Sequence, residues 1–100
     1  MPTDSVFRAI ADPTRRQILK LLRDGEMTAG QITAHFDMAA PSMSHHFSVL
    51  KNADLIDVRR SGPQLYYSIN TSVLEDVVTS LMEIFGTDIR DTSSRSGEEE

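Results

Sequence analysis

The stretch Ala40–Ala53, APSMSHHFSVLKNA, sets serines and histidines at helical spacing. Met43, Phe47 and Leu50 recur four and three residues apart, which is one face of a helix. Ser44, His45 and Ser48 fall on the opposite face, short, neutral and able to donate or accept hydrogen bonds. A helix of this kind can rest one side on a core and offer the other to the major groove of duplex DNA, where base edges are read by hydrogen bonds. At about 100° per residue, His45 points farthest from the apolar face. With Ser42, Ser44 and Ser48 it is a candidate for contact with a base edge or a phosphate. The plain alternative is a solvated surface histidine. His46 lies beside the apolar face, where a half-buried structural role is favoured over DNA contact.

The same residues can be tested for other chemistry. Adjacent helical residues point about 100° apart, so His45 and His46 cannot chelate one metal together. His35 belongs to another segment, and Glu75, Asp76 and Glu83 of the last helical stretch have no histidine near them. No metal site and no cofactor is expected. Ser42 and His45 stand three apart, as many helical pairs do. No third residue orients the histidine and no glycine-rich loop offers an oxyanion site, so the chain does not read as an enzyme.

Cationic residues near this helix matter for phosphate. Arg59 and Arg60 lie in a β-rich run and point to opposite sides if extended, so one of them is expected to face a DNA backbone. Ordinary surface charge is the alternative. Lys51, late in the helix, is a weaker phosphate candidate. Gln31, like Thr28 and Ser42, lies near a helix start, where backbone N–H groups favour anions. Arg15 and Arg16 read equally well as salt-bridging residues. Of Tyr66 and Tyr67, at least one is expected to pack beneath its strand.

The elements that must hold this helix follow from local signals. Thr3 or Asp4 caps a first helix to about Ala11. Asp12-Pro13 starts a second, since proline in the first turn lacks only an N–H that would be unpaired there. It runs to about Arg23, with Ile18, Leu19, Leu21 and Leu22 inward, and stops at Asp24-Gly25. Thr28 and Gln31 form a capping box for a third helix over Ala29–Phe36, with Ile32 and Phe36 facing the core. Asp37–Ala39 turns into the Ala40–Ala53 helix, giving a helix-turn-helix. The period then becomes two: residues 55–60 and 65–69 flank Ser61-Gly62-Pro63-Gln64 as a β-hairpin. Asn70 or Ser72 caps a last helix to Phe85, closed by Gly86. Residues 87–100 have no periodicity and are expected to form a disordered acidic tail. The fold class is therefore mainly α with a β-hairpin, a winged helix-turn-helix in the order α-α-α-α-β-β-α, occupying residues 1–86.

One hundred residues with 39% hydrophobic content make one modest core, and a chain this short gains from association. The last helix has a broad apolar stripe: Leu74, Val77, Val78, Leu81, Met82 and Phe85. With Val6, Phe7 and Ile10 of the first helix it is expected to form a homodimer interface rather than expose one large patch. The net charge of −5 is unusual for a DNA binder. The tail after Gly86 carries −3 of it, and the remaining −2 still predicts weak non-specific binding. A winged-helix module that binds protein instead of DNA is the alternative this charge favours. The chain has no cysteine, no apolar run long enough to span a membrane and no leader-like start. A cytoplasmic protein without membrane insertion is the expectation.

Four segments in order, FRAIADPTRRQILKLL, MTAGQI, PSMSHHFSVLKNADLI and GPQLYYSIN, resemble the ArsR-type winged-helix repressors. The resemblance covers about Val6 to Phe85 and is strongest to the metal-independent branch, the SdpR-like autorepressors. It implies a homodimeric DNA-binding transcriptional repressor joined through its first and last helices. Three departures stand out. Ala39 replaces a frequent serine N-cap, Pro63 and Gln64 stand where the wing often carries a basic residue, and the cysteine pair of metal-sensing members is missing. Relief of repression by a small effector or an anti-repressor partner is left open.

Overall fold

The computed structural model describes residues 2–86. The expected acidic tail, 87–100, lies outside the described residues. The elements run α1 (Pro2–Ile10), α2 (Pro13–Leu22), β1 (Met27–Thr28), α3 (Ala29–Thr33), α4 (Ala40–Asn52), β2 (Ile56–Ser61), β3 (Gln64–Ile69) and α5 (Thr71–Phe85). The four helices before the hairpin and the one after it are as expected, with one strand added.

The start signals act through the atoms that the sequence suggested. Asp12 accepts the Arg15 backbone N–H at 3.1 Å and has extended backbone, with Pro13 as the first helical residue of α2. At α3 both halves of the capping box close, Thr28 Oγ1 accepting from Gln31 N at 3.1 Å and Gln31 Oε1 from Thr28 N at 2.9 Å. Asn70, not Ser72, caps α5, accepting from Ser72 N at 3.0 Å. Gly86 ends it in the left-handed region.

Three boundaries differ from expectation. Helix α1 starts at Pro2, so Thr3 and Asp4 lie in its first turn and do not cap it. The α-helical part of α3 stops at Thr33, and the next turn tightens: His35 donates to Ile32 and Phe36 to Thr33, both at 3.0 Å. The Thr33 hydroxyl donates to the Ala29 carbonyl at 2.8 Å, a back-bond that often bends a helix. In the hairpin, Ser61 and Gln64 pair as strand residues and leave only Gly62-Pro63 as the turn. Gly62 has φ 60°, the positive first position of a type II′ turn, and the proline ring fixes the negative φ that follows.

The added strand β1 pairs antiparallel with β3, Met27 opposite Tyr67 and Thr28 opposite Tyr66. The sheet order is β1-β3-β2. Ile18 of α2, Ile32 of α3, Met43 and Leu50 of α4 and Val6 of α1 are fully buried at the centre. Each supplies about 1.5–3 kcal/mol of burial if fully removed from water. Leu19, Leu21 and Phe36, expected to face inward, are half-buried against that centre. The three middle helices and the sheet thereby share one apolar junction that fixes α4 from beneath.

Candidate nucleic-acid interface

The helix α4 is seated by Met43, Phe47 and Leu50, all buried, and by Tyr67 of β3, whose ring stacks on Phe47 at 4.8 Å between centroids. Burial raises the Tyr67 pKa above the ordinary phenol value, so this ring stays neutral under its helix. Its position beneath the wing agrees with the sequence. The opposite side of α4 presents Ser42, Ser44, His45, Ser48 and Lys51, every one exposed. Asn52 and Pro41 are exposed as well and had not been singled out. The first turn starts from Ala39, which gives no side-chain cap bond. Its free N–H groups are left to water or to an incoming acceptor.

Between α4 and the hairpin lies a concavity of 400 Å³ lined by Ser44, Ser48 and Lys51 on one wall and Val58, Arg60 and Leu65 on the other, with Phe47 and Tyr67 at its floor. Arg60 thus shares a side with the polar face of α4. Arg59 does not. Its guanidinium donates to Glu26 Oε1 at 2.6 Å and sits 4.6 Å from the centre of the Tyr66 ring. The bond to Glu26 is the first cause raising its already high pKa. Of the pair, one arginine ties the wing to the segment before β1 and the other flanks the groove. Nothing local in the sequence distinguishes them, because Glu26 is 33 residues away.

Gln31 is exposed, but its carbonyl oxygen is committed to the capping box. Only its amide N–H₂ remains for another partner. His46 is half-buried, its side chain 14% exposed, with Nδ1 3.3 Å from an Arg15 guanidinium nitrogen and 3.8 Å from Asp12. Arg15 and Arg16 turn inward along the backbone: Arg15 donates to the Arg8 and Ala9 carbonyls, Arg16 to those of Ile10 and Ala11. They satisfy carbonyls that the end of α1 leaves open. Burial tends to raise the Asp12 pKa. The Arg15 backbone bond leads the opposing causes, and together they hold the carboxyl below its ordinary value. Among the described residues no three His, Cys, Asp or Glu side chains gather where they could hold a metal ion.

The expected dimer-forming set divides by burial. Val6 and Val77 are 1% and 5% exposed and belong to the subunit's own core, so neither is open to a second chain. The α1 and α5 stripes thus feed the subunit's own core as well as its outer surface. Ile10, Val78, Leu81 and Met82 are half-buried, while Phe7, Leu74 and Phe85 are exposed. Ile84, which the stripe did not include, is exposed too.

Residues 12–58 match the family model described as bacterial regulatory protein, arsR family. The transcriptional repressor SdpR of Bacillus subtilis (strain 168) is 51% identical over 79 residues, spanning 79% of this chain and 88% of that protein. The arsenical resistance operon repressor of Staphylococcus aureus is 31% identical, spanning 77% of this chain and 74% of its own length. A crystal structure of an ArsR family transcriptional regulator superposes with a TM-score of 0.72 at 28% identity, covering 87% of this chain and 93% of the other.

Proposed function

The chain belongs to the ArsR family of bacterial regulatory proteins, and we infer that it is a transcriptional repressor that binds duplex DNA as a homodimer. The observation that carries this reading is the exposed polar face of α4, Ser42 to Lys51, held outward by three buried residues and flanked on the same side by Arg60. The face enters a major groove. Ser42, Ser44, His45 and Ser48 meet base edges and nearby phosphates, and Lys51 and Arg60 neutralise backbone charge. The face has no arginine for bidentate guanine contact, so groove shape and bridging waters supply much of the specificity. Two-fold symmetry sets two α4 helices about one DNA turn apart, roughly 34 Å, on a pseudo-palindromic operator. Repression follows from occupying a promoter, and a repressor acts where the chromosome is, in the cytoplasm. Among the described residues no helix is long and apolar enough to cross a membrane.

The test is a nuclease footprint over an inverted repeat in the promoter beside the chain's own gene, followed by affinity measured against salt. With several phosphate contacts the affinity must fall steeply as salt rises. The net charge of −5 favours the second reading, a winged helix that binds protein. A flat salt dependence with no protected repeat would select it.

A further inference from the structure

One side chain joins three elements around the recognition helix. The Arg15 Nε donates to the Ala9 carbonyl at 2.7 Å, and another guanidinium nitrogen donates to the Arg8 carbonyl at 3.1 Å, both at the end of α1. The remaining nitrogen lies 3.3 Å from Nδ1 of His46 on α4. A guanidinium only donates, so Nδ1 is the accepting nitrogen of this ring. Asp12 fixes the start of α2 beside this contact, accepting the Arg15 backbone N–H at 3.1 Å. The chain of contacts therefore runs from the last turn of α1, through α2, to the middle of α4.

That connection replaces something α4 lacks. Its N-cap, Ala39, forms no side-chain bond, so the first turn has no local device fixing its rotation. The apolar seat alone is permissive, because dispersion contacts are not directional. A hydrogen bond at the flank of the helix is directional. At a side-chain radius of 5–6 Å, a roll of about 10° moves a side-chain tip by ~1 Å. A shift of that size breaks a hydrogen bond to a base edge, while a contact to diffuse phosphate charge survives it.

We propose that Arg15 is a positioning residue for operator reading: through His46 it sets the rotation of α4 against α1, without touching DNA itself. The proposal rests on the DNA-binding reading above. Its signature is a selective loss, with specific binding falling and non-specific binding spared. It also makes the end of α1 part of the recognition apparatus, so whatever moves that helix moves the polar face of α4.

The test uses the full chain and two duplexes of equal length, one carrying the footprinted repeat and one of random sequence. Arg15→Ala and His46→Ala each lose tenfold or more on the repeat and less than twofold on the random duplex. The double variant is no weaker than either single one, as expected for two partners in one contact. His46→Asn, whose Oδ1 takes the place of Nδ1 as acceptor, returns to within threefold of the unaltered protein. Equal losses on both duplexes, additive losses in the double variant, or His46→Asn no better than His46→Ala would each overturn the proposal. Should melting curves show Arg15→Ala unfolded, the His46 pair decides alone, because it leaves the Arg15 bonds to α1 intact. An unaltered protein that does not prefer the repeat overturns the DNA-binding reading and this proposal with it. Preference for the repeat with full-strength Arg15→Ala overturns this proposal only.

Discussion

Arg59 and Arg60 are adjacent, alike in charge and both exposed, yet the strand's alternation gives them opposite work. Arg60 lines the groove beside α4, and Arg59 is held by Glu26 and Tyr66. Each phosphate neutralised contributes about 0.9 to the slope of log affinity against log salt on duplex DNA. Arg60→Gln is therefore expected to lower that slope by about one per subunit, and Arg59→Gln to leave it unchanged. Mobility-shift titrations at four salt concentrations distinguish the two, and a slope that responds to Arg59 instead would reverse the assignment. His45 makes a different kind of contribution. Its side chain is exposed, so His45→Ala should leave the melting temperature in place. One lost hydrogen bond at a base edge weakens specific binding by about tenfold. Unchanged affinity for the footprinted repeat would remove His45 from the readout.

At the scale of elements, the helix ends carry most of what can be tested. Ala39→Ser gives α4 the acceptor it lacks and is expected to stabilise the chain by about 1 kcal/mol, read from denaturant midpoints at constant m. The end of α4 offers a second case. Asp54 sits at φ 59°, while Asp54 N donates to Lys51 O at 2.9 Å and Leu55 N to Leu50 O at 3.0 Å, the two bonds of a Schellman motif. Glycine suits that position better, so Asp54→Gly stabilises by about 0.5–1 kcal/mol, and a loss on substitution would mean the carboxylate has an unseen role. Asp12, whose folded pKa lies below the ordinary 3.8, adds a pH signature. Its contribution is full above the unfolded value and is lost as acid takes the pH down through the folded one. Asp12→Ala should cost about 1 kcal/mol at pH 7, and denaturant midpoints should show that cost shrinking as the pH falls through the folded value. The caps at Asp12, Thr28 and Asn70 were legible in the sequence because each is written within four residues. The strand β1 was not, since two residues show no period and its partner Tyr67 lies far along the chain. The Glu26–Arg59 bond was hidden for the same reason: local spacing says nothing of a partner 33 residues away. The exposed face of α4 was readable because its seat, Met43, Phe47 and Leu50, is periodic, and the bonds of His46 were not, because they run through Arg15, 31 residues earlier.

For the whole molecule, the homodimer proposed above requires two chains of 100 residues to place their α4 helices on one operator. A single α4 offers few base contacts, and the net charge of −5 gives little help from general attraction to DNA. Affinity must then come from two half-sites bound together, each raising the effective concentration of the other. The surface suited to hold two subunits is the outer side of α1 and α5, where Phe7, Leu74, Ile84 and Phe85 are 37%, 47%, 68% and 73% exposed. Four large apolar side chains on two helices in contact are more than a lone subunit of this size usually leaves in water. Val6 and Val77 are buried, whereas Leu74, which lines one apolar hollow with both, is 47% exposed, so a charge introduced there keeps access to water. Leu74→Asp is expected to keep the circular dichroism of a folded chain while sedimentation changes from twice the 11.2 kDa subunit mass to that of one subunit. Its affinity for the full repeat should fall at least a hundredfold, and its weak affinity for a single half-site should stay within twofold. Val77→Asp, placing a charge at a 5% exposed position, should unfold the chain instead. If the unaltered protein sediments as a single subunit, or if Leu74→Asp still sediments as a pair, the two subunits are joined elsewhere or not at all. The spacing of the operator would then need another source than the α1 and α5 surface.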